Sequence, residues 1–333
     1  MEDRRQRVLA ITAVLIALPL TVALLPILLI GAALADAWGR LWRFPTVRLV
    51  MCAVVYLAHE WIGLLLAAGL RMAELVGVFR NRPGRQIEIY RSIQAWWASS
   101  LMRWAGRFLR VRFDMADLDT LPTKGFIVLS RHASMVDAVL PAVIVADGLD
   151  RFIHYVLKAE LQWDANLNVY GRRLGNYFVQ REGDGDAEAA AIAHFARGTQ
   201  PDSALVIFPE GTYSTPARRA KVRASLAAKG EDELAALATE LNHLLPPKPG
   251  GTLALLDSQP DLDVVVVGHV GLEGVTDAGL RKRLPLRHPV VVRWWVHERS
   301  TIPTDDEKRI AWLNDQWRSL DRWVDDVAAE RTP

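Results

Sequence analysis

Phe126-Ile127-Val128-Leu129-Ser130-Arg131-His132-Ala133-Ser134-Met135-Val136-Asp137 is the stretch whose reading decides the fold. Its first half is a short, wholly apolar run, the mark of a strand buried on both faces. Its second half opens an apolar helical pattern near Met135. A strand followed at once by a helix is the unit of an α/β domain. Between them sit His132 and Asp137 in a His-x4-Asp spacing. On one continuous helix these positions would point about 140° apart. They can meet only if His132 lies on the strand-to-helix turn and Asp137 on the first helical turn.

The pattern repeats outward. Strands are expected at 111–113, 126–129, 152–156, 174–179, 204–208, 264–268 and 290–296, and helices at 136–145, 186–197, 231–243, 275–284 and 305–329. The alternation predicts an α/β fold: a central, largely buried mixed sheet flanked by helices. Residues 215–230 are basic and lack apolar periodicity, so a loop is expected there. Leu245-Pro246-Pro247-Lys248-Pro249-Gly250-Gly251 reads as a rigid turn.

A carboxylate that accepts from one imidazole nitrogen fixes the tautomer and leaves the other nitrogen free to take a hydroxyl proton. The resulting oxygen can attack an acyl thioester. The same residues admit a plainer reading, because Ser134-x-x-Asp137 is also a capping-box pattern that closes a helix start. Ser134 as a hydrolase nucleophile is weaker, since no Gly-x-Ser-x-Gly elbow surrounds it. Further on, Phe208-Pro209-Glu210-Gly211-Thr212 ends another apolar run. A turn of this kind exposes backbone N–H groups that hold phosphate oxygens, and Thr212 adds a hydroxyl donor. Glu210 would repel a phosphate, so it is expected to orient a substrate hydroxyl or a basic neighbour. Arg181, after Tyr177-Phe178-Val179-Gln180, is suited to bidentate phosphate capture but equally to a solvated strand end. Lys158 has the same two readings.

The N-terminus carries a different signal. No charged side chain occurs from 8 to 35, and a second apolar run, 49–70, is broken only by His59 and Glu60. Each is long enough to cross a bilayer, with Pro19 and Pro26 as kinks in the first. Arginines fill all three flanks: Arg4, Arg5 and Arg7; Arg40, Arg43 and Arg48; Arg71, Arg80, Arg82 and Arg85. Two ordinary spans should leave one side poor in positive charge. A helical hairpin dipping into one leaflet, with His59 and Glu60 near the surface, fits as well. Both place the rest of the chain on the side of the N-terminus, the cytoplasmic face of an inner membrane. A cleaved signal peptide fits poorly, because its apolar core runs only about 7–15 residues. Residues 1–78 are thus expected to anchor a domain at 79–333. Within 86–110, Ile89, Ile93, Trp96, Trp97, Leu101, Trp104 and Phe108 recur at helical spacing, for packing on the core or for an interfacial foot.

Composition narrows the partners. With 40 Lys+Arg against 38 Asp+Glu, nucleic acid is not the expected partner. A single cysteine, Cys52, gives no internal disulfide and no Cys-rich zinc site.

In this order, His132-x4-Asp137, the segment ending at Arg181, Phe208-Pro209-Glu210-Gly211-Thr212 and Asp263-Val264-Val265-Val266-Val267 resemble the glycerolipid acyltransferase family, which includes lysophosphatidic acid acyltransferases. The likeness covers about 111–268. The Pro-Pro-Lys-Pro-Gly turn and the Trp312-Leu313-Asn314-Asp315-Gln316-Trp317 tail are similar to a branch with an N-terminal membrane hairpin, acting on lysophosphatidic acid, lysocardiolipin or lysophosphatidylinositol. The resemblance implies His132 as general base and Asp137 as its partner. It implies that Arg181, Glu210, Gly211 and Thr212 bind the acceptor's phosphate and glycerol, with Lys158 as a further basic contact. The donor would be acyl-CoA or acyl carrier protein, the acceptor a lysophospholipid, with no metal, cofactor or covalent acyl-enzyme. The sequence departs from the family pattern at Arg131, often Asn, and at Tyr213, often Arg. The second departure removes one expected phosphate contact. A membrane thioesterase or lipid hydrolase using the same pair on water, and a non-catalytic lipid-binding protein, are the competing functions.

Overall fold

The computed structural model describes residues 2–82, 84–179, 185–273 and 280–331. Three long helices come first: α1 (Glu2–Trp38), α2 (Pro45–Leu75) and α3 (Arg85–Leu109). Strand β1 (Phe113–Met115) and the buried β2 (Phe126–Ser130) follow. After β2 the chain winds as a tight turn over Val136–Val139, as α4 over Leu140–Ala142, and more widely over Val143–Gly148. Next come β3 (Ile153–Lys158), α5 (Ala165–Arg173), β4 (Tyr177–Val179), α6 (Gly185–Arg197) and β5 (Ala204–Ile207). The last part holds α7 (Pro216–Lys229), α8 (Asp232–Glu240), α9 (Pro249–Ser258), β6 (Asp263–Val270), α10 (Leu280–Arg283), β7 (Val290–His297) and α11 (Asp306–Ala329).

The seven strands form one mixed sheet in the order β1-β7-β6-β2-β5-β3-β4. From β6 to β4 every neighbouring pair is parallel, whereas β7 runs antiparallel to β6. Side chains alternate across it. Phe126 and Val128 join one core with Leu140 and Ile153, while Ile127 and Leu129 join the other with Leu255 and Trp317. Both faces are covered, which is why the strands read as continuous apolar runs. The parallel stretch has a functional consequence. The chain leaves β6, β2, β5, β3 and β4 at the same edge, where ligands of open α/β sheets bind.

The predicted loop at 215–230 is instead a helix, α7. Thr215 caps its start by accepting from the Arg218 N–H, and Gly230 ends it in the left-handed region. None of its residues is fully buried, so no apolar stripe announced it. Arginines dock it: Arg223 donates to the carbonyls of Ala238 and Leu241, and Arg219 to Ser214 Oγ. Helices α5 and α9 were not anticipated. Part of the helix expected at 275–284 lies outside the described residues, with α10 as its visible end.

Helices α1 and α2 form the expected hairpin, and each is long and apolar enough to cross a membrane by length and composition. Asp36, in the last turns of α1, caps α2 by accepting from the Thr46 N–H at 2.8 Å. His59 and Glu60 are buried against the domain. Glu60 accepts from Trp97 Nε1 on α3 at 3.2 Å and from the backbone N–H of Asn166 on α5 at 3.1 Å. His59 Nε2 lies 2.7 Å from Ser100 Oγ. A Cβ on Gly63 would stand 2.3 Å from Asn166 Nδ2, so only glycine permits this approach of α2 to α5. Helix α3 serves mainly as packing, with Ala95 and Ala98 in the core and Tyr90 buried beside α5's Tyr170.

Candidate active site

His132 sits on the turn after β2, and Asp137 in the tight first turn that follows. This is the one placement in which the pair can meet. His132 Nδ1 lies 2.8 Å from Asp137 Oδ1. The other carboxylate oxygen, Oδ2, accepts from the N–H groups of Ala133 at 2.6 Å and Ser134 at 2.7 Å. The capping reading and the orienting reading are therefore both realised, by the two oxygens of one side chain. Ser134 takes part through its backbone; its hydroxyl is buried without a hydrogen-bond partner. Burial alone would raise the Asp137 carboxyl, but hydrogen bonds from His132 and His269 outweigh it and hold the group below the usual carboxylate range. An anion there keeps the His132 proton on Nδ1 and leaves the lone pair on Nε2. The His132 ring is partly exposed, packed between Phe208 (centroids 4.7 Å apart) and Tyr213 (5.8 Å, edge-on).

The second motif follows β5. Gly211 adopts φ 66°, a left-handed conformation that favours glycine. Glu210 bridges the two motifs. It is buried; Oε1 accepts from the His132 N–H at 2.8 Å and Oε2 from the Leu245 N–H at 2.9 Å. Burial pushes its carboxyl up to about 8, against the opposing pull of the two amides and of Arg131. The motif turn is further tied by the Ser214 N–H to the His132 carbonyl (2.7 Å) and by the Lys248 N–H to the Pro209 carbonyl (2.8 Å). Three loops distant in sequence are thus locked into one wall.

Thr212 faces a guanidinium. Arg218, at the start of α7, donates from Nη1 to Thr212 Oγ1 (3.1 Å) and to the Tyr213 carbonyl (3.0 Å), and lies 3.7 Å over the Tyr213 ring. The position where the sequence lacks an arginine is therefore served by one five residues on. Lys248 reaches the other side of the turn: its Nζ would stand 3.5 Å from a Cβ on Gly211. Among the described residues no carboxylate pairs with either cation.

Lys158 closes β3 at the same sheet edge, and Arg181 lies outside the described residues, two positions beyond the end of β4. His269 was missed altogether. It is fully buried on β6, with Nε2 3.2 Å from Asp137 Oδ2. Its signal in the sequence was only a lone histidine in a run of valines. Arg131, noted as a departure, is also buried, pairing with Glu273 at 2.5 Å and donating to the His269 carbonyl.

Residues 112–265 match the Acyltransferase family, a segment that holds both motifs. The segment that holds both motifs is thus an acyltransferase domain built on the mixed sheet, as the order of its motifs implied. The crystal structure of the 1-acyl-sn-glycerophosphate (LPA) acyltransferase PlsC from Thermotoga maritima is similar at 16% identity, over 80% of this chain and 97% of that one, with a TM-score of 0.48.

Proposed function

We propose that the protein is a membrane-bound O-acyltransferase that moves a fatty acyl group from acyl-CoA or acyl carrier protein to a hydroxyl of a lysophospholipid such as 1-acyl-glycerol-3-phosphate. One observation carries the reading. His132 is held through Nδ1 by a buried carboxylate 2.8 Å away, and its ring packs against Phe208 and Tyr213 of the turn after β5. In the reaction Nε2 takes the proton of the acceptor hydroxyl as its oxygen attacks the thioester carbonyl. The C–O bond forms, the C–S bond breaks, and the departing thiolate recovers the proton from His132. Asp137 steadies the imidazolium between the two steps. Gly211, Thr212, Arg218 and Lys248 line the place for the acceptor's phosphate, with Lys158 at the end of β3 and Arg181 as the further basic contacts of this reading. Arg218 and Lys248, which no carboxylate pairs with among the described residues, suit an anionic head group. Glu210 serves this site indirectly, by fixing the His132 backbone. Residues 1–78 act as the membrane anchor of the 79–333 domain, on the cytoplasmic face. The apolar side chains that α1 leaves exposed, among them Leu20, Ile27, Ile30 and Leu34, give the bilayer its contact.

The test is labelled acyl-CoA or acyl carrier protein offered with a panel of lysolipids, for wild type and His132→Ala. Label in a diacyl lipid, lost in His132→Ala while the protein stays folded and membrane-bound, supports the reading. Free fatty acid alone would make it a thioesterase, and neither product a lipid-binding protein.

A further inference from the structure

His269 stands 132 residues from Asp137 and 57 from Thr212, yet its ring is buried against Asp137. Both neighbours of its Nε2 are acceptors: Asp137 Oδ2 at 3.2 Å and the Arg131 carbonyl at 3.4 Å. A nitrogen between two acceptors must carry hydrogen. Its Nδ1 is buried without a partner, which suits a bare lone pair and not a second N–H. His269 is thus placed with its Nε2–H toward Asp137 and the Arg131 carbonyl. Nothing in the proposed reaction uses it as a proton carrier.

We infer that His269 is a positioning residue for the acyl transfer: its Nε2–H holds Asp137 Oδ2 so that Oδ1 stays aimed at His132, and draws charge away from the carboxylate. The claim about turnover rests on the proposed base role of His132; the claim about Asp137 does not. Removing the donor leaves a freer, more electron-rich carboxylate, which stabilises protonated His132 more strongly and makes Nε2 available only at higher pH. The charged and titratable groups around the pair are Arg131 at the end of β2, Glu273 after β6, Glu210 and Tyr213 after β5, and Arg218 on α7.

The experiment compares full-length wild type, His269→Phe and His269→Gln in lipid nanodiscs. His269→Phe keeps the planar bulk and removes the donor; His269→Gln returns an N–H near the place of Nε2. One readout is the His132 imidazole titration by NMR, assigned with His132→Asn, which needs no turnover. The other is the pH profile of kcat and of each KM. In His269→Phe the His132 titration and the acid limb of kcat/KM should move to higher pH. Its kcat should fall about tenfold, as for other partners that orient a reacting group, with both KM values held. His269→Gln should stay near wild type in all of these. An unmoved His132 titration in His269→Phe, or His269→Gln as impaired as His269→Phe, overturns the inference. So does a rise in acceptor KM alone, which would make His269 a shaper of the pocket. If the wild type transfers no acyl group, the functional reading fails, and the titration still decides what His269 does.

Discussion

Replacing Glu210 should cost stability and turnover together, in a graded way that follows from its two hydrogen bonds. Its carboxyl oxygens accept from the His132 and Leu245 amides, and the side chain is only 2% exposed. Glu210→Gln keeps one acceptor oxygen and turns an NH2 group toward the other amide, leaving one buried N–H unmatched at about 1–3 kcal/mol. Glu210→Ala strands both amides and opens a void, so about 2–6 kcal/mol is at stake. Turnover follows because the same amide belongs to the base. An error of about 1 Å in a reacting group costs on the order of a hundredfold. Thermal unfolding in detergent, with kcat and KM measured side by side, reads both effects. The midpoint should fall in the order wild type, Glu210→Gln, Glu210→Ala, with kcat falling in parallel and acceptor KM nearly constant. A Glu210→Gln protein of wild-type stability with a raised acceptor KM would refute the clamp and return Glu210 to the substrate.

Arg218→Gln and Lys248→Gln should each raise the acceptor KM about tenfold, the worth of one charge-assisted contact. A raised acyl-CoA KM instead would assign these cations to the donor. Asp137 is held below the ordinary carboxylate range, so its contribution to stability is complete above the unfolded pKa of about 4 and is lost as pH falls through the folded value. Asp137→Asn should flatten that acid limb in a denaturation series and reduce transfer sharply at neutral pH. Gly63→Val, which drives a side chain into Asn166, should loosen the hairpin from the domain, read as new protease sensitivity between α2 and α3.

What was legible in the sequence was local. The β-branched runs at 126–130 and 263–267 gave strands because both sheet faces are covered, and the His132–Asp137 spacing forced a turn by geometry alone. Partners set by topology left no such trace. Nothing around Glu210 announces Leu245, and nothing around His269 announces Asp137, because register and loop packing bring them together. Helix α7 was hidden for another reason: it is held through its arginines, so the apolar periodicity that reveals most helices never formed. Tyr213 was read as a missing cation, which was true of the position but not of the space, since Arg218 lies on the tyrosine ring.

Two of the arginines that flank the apolar runs, Arg7 and Arg48, take part in such long-range contacts. Near the start of α1, Arg7 donates to Asn168 on α5; near its end, Asp36 pairs with Arg281 on α10. Arg48, one turn into α2, donates to the Phe108 carbonyl at the end of α3. A 37-residue helix is about 55 Å long, well beyond the ~30 Å of a hydrocarbon core. Were α1 to stand upright across a bilayer, its two tethers would put Asn168 and Arg281, parts of one folded domain, on opposite faces. Both ends of α1 are thus tied to the same folded domain. Burial of His59 and Glu60 fits that arrangement too. Charged groups inside an apolar run are tolerated where they face protein, and here they form the seam that joins the anchor to α3 and α5.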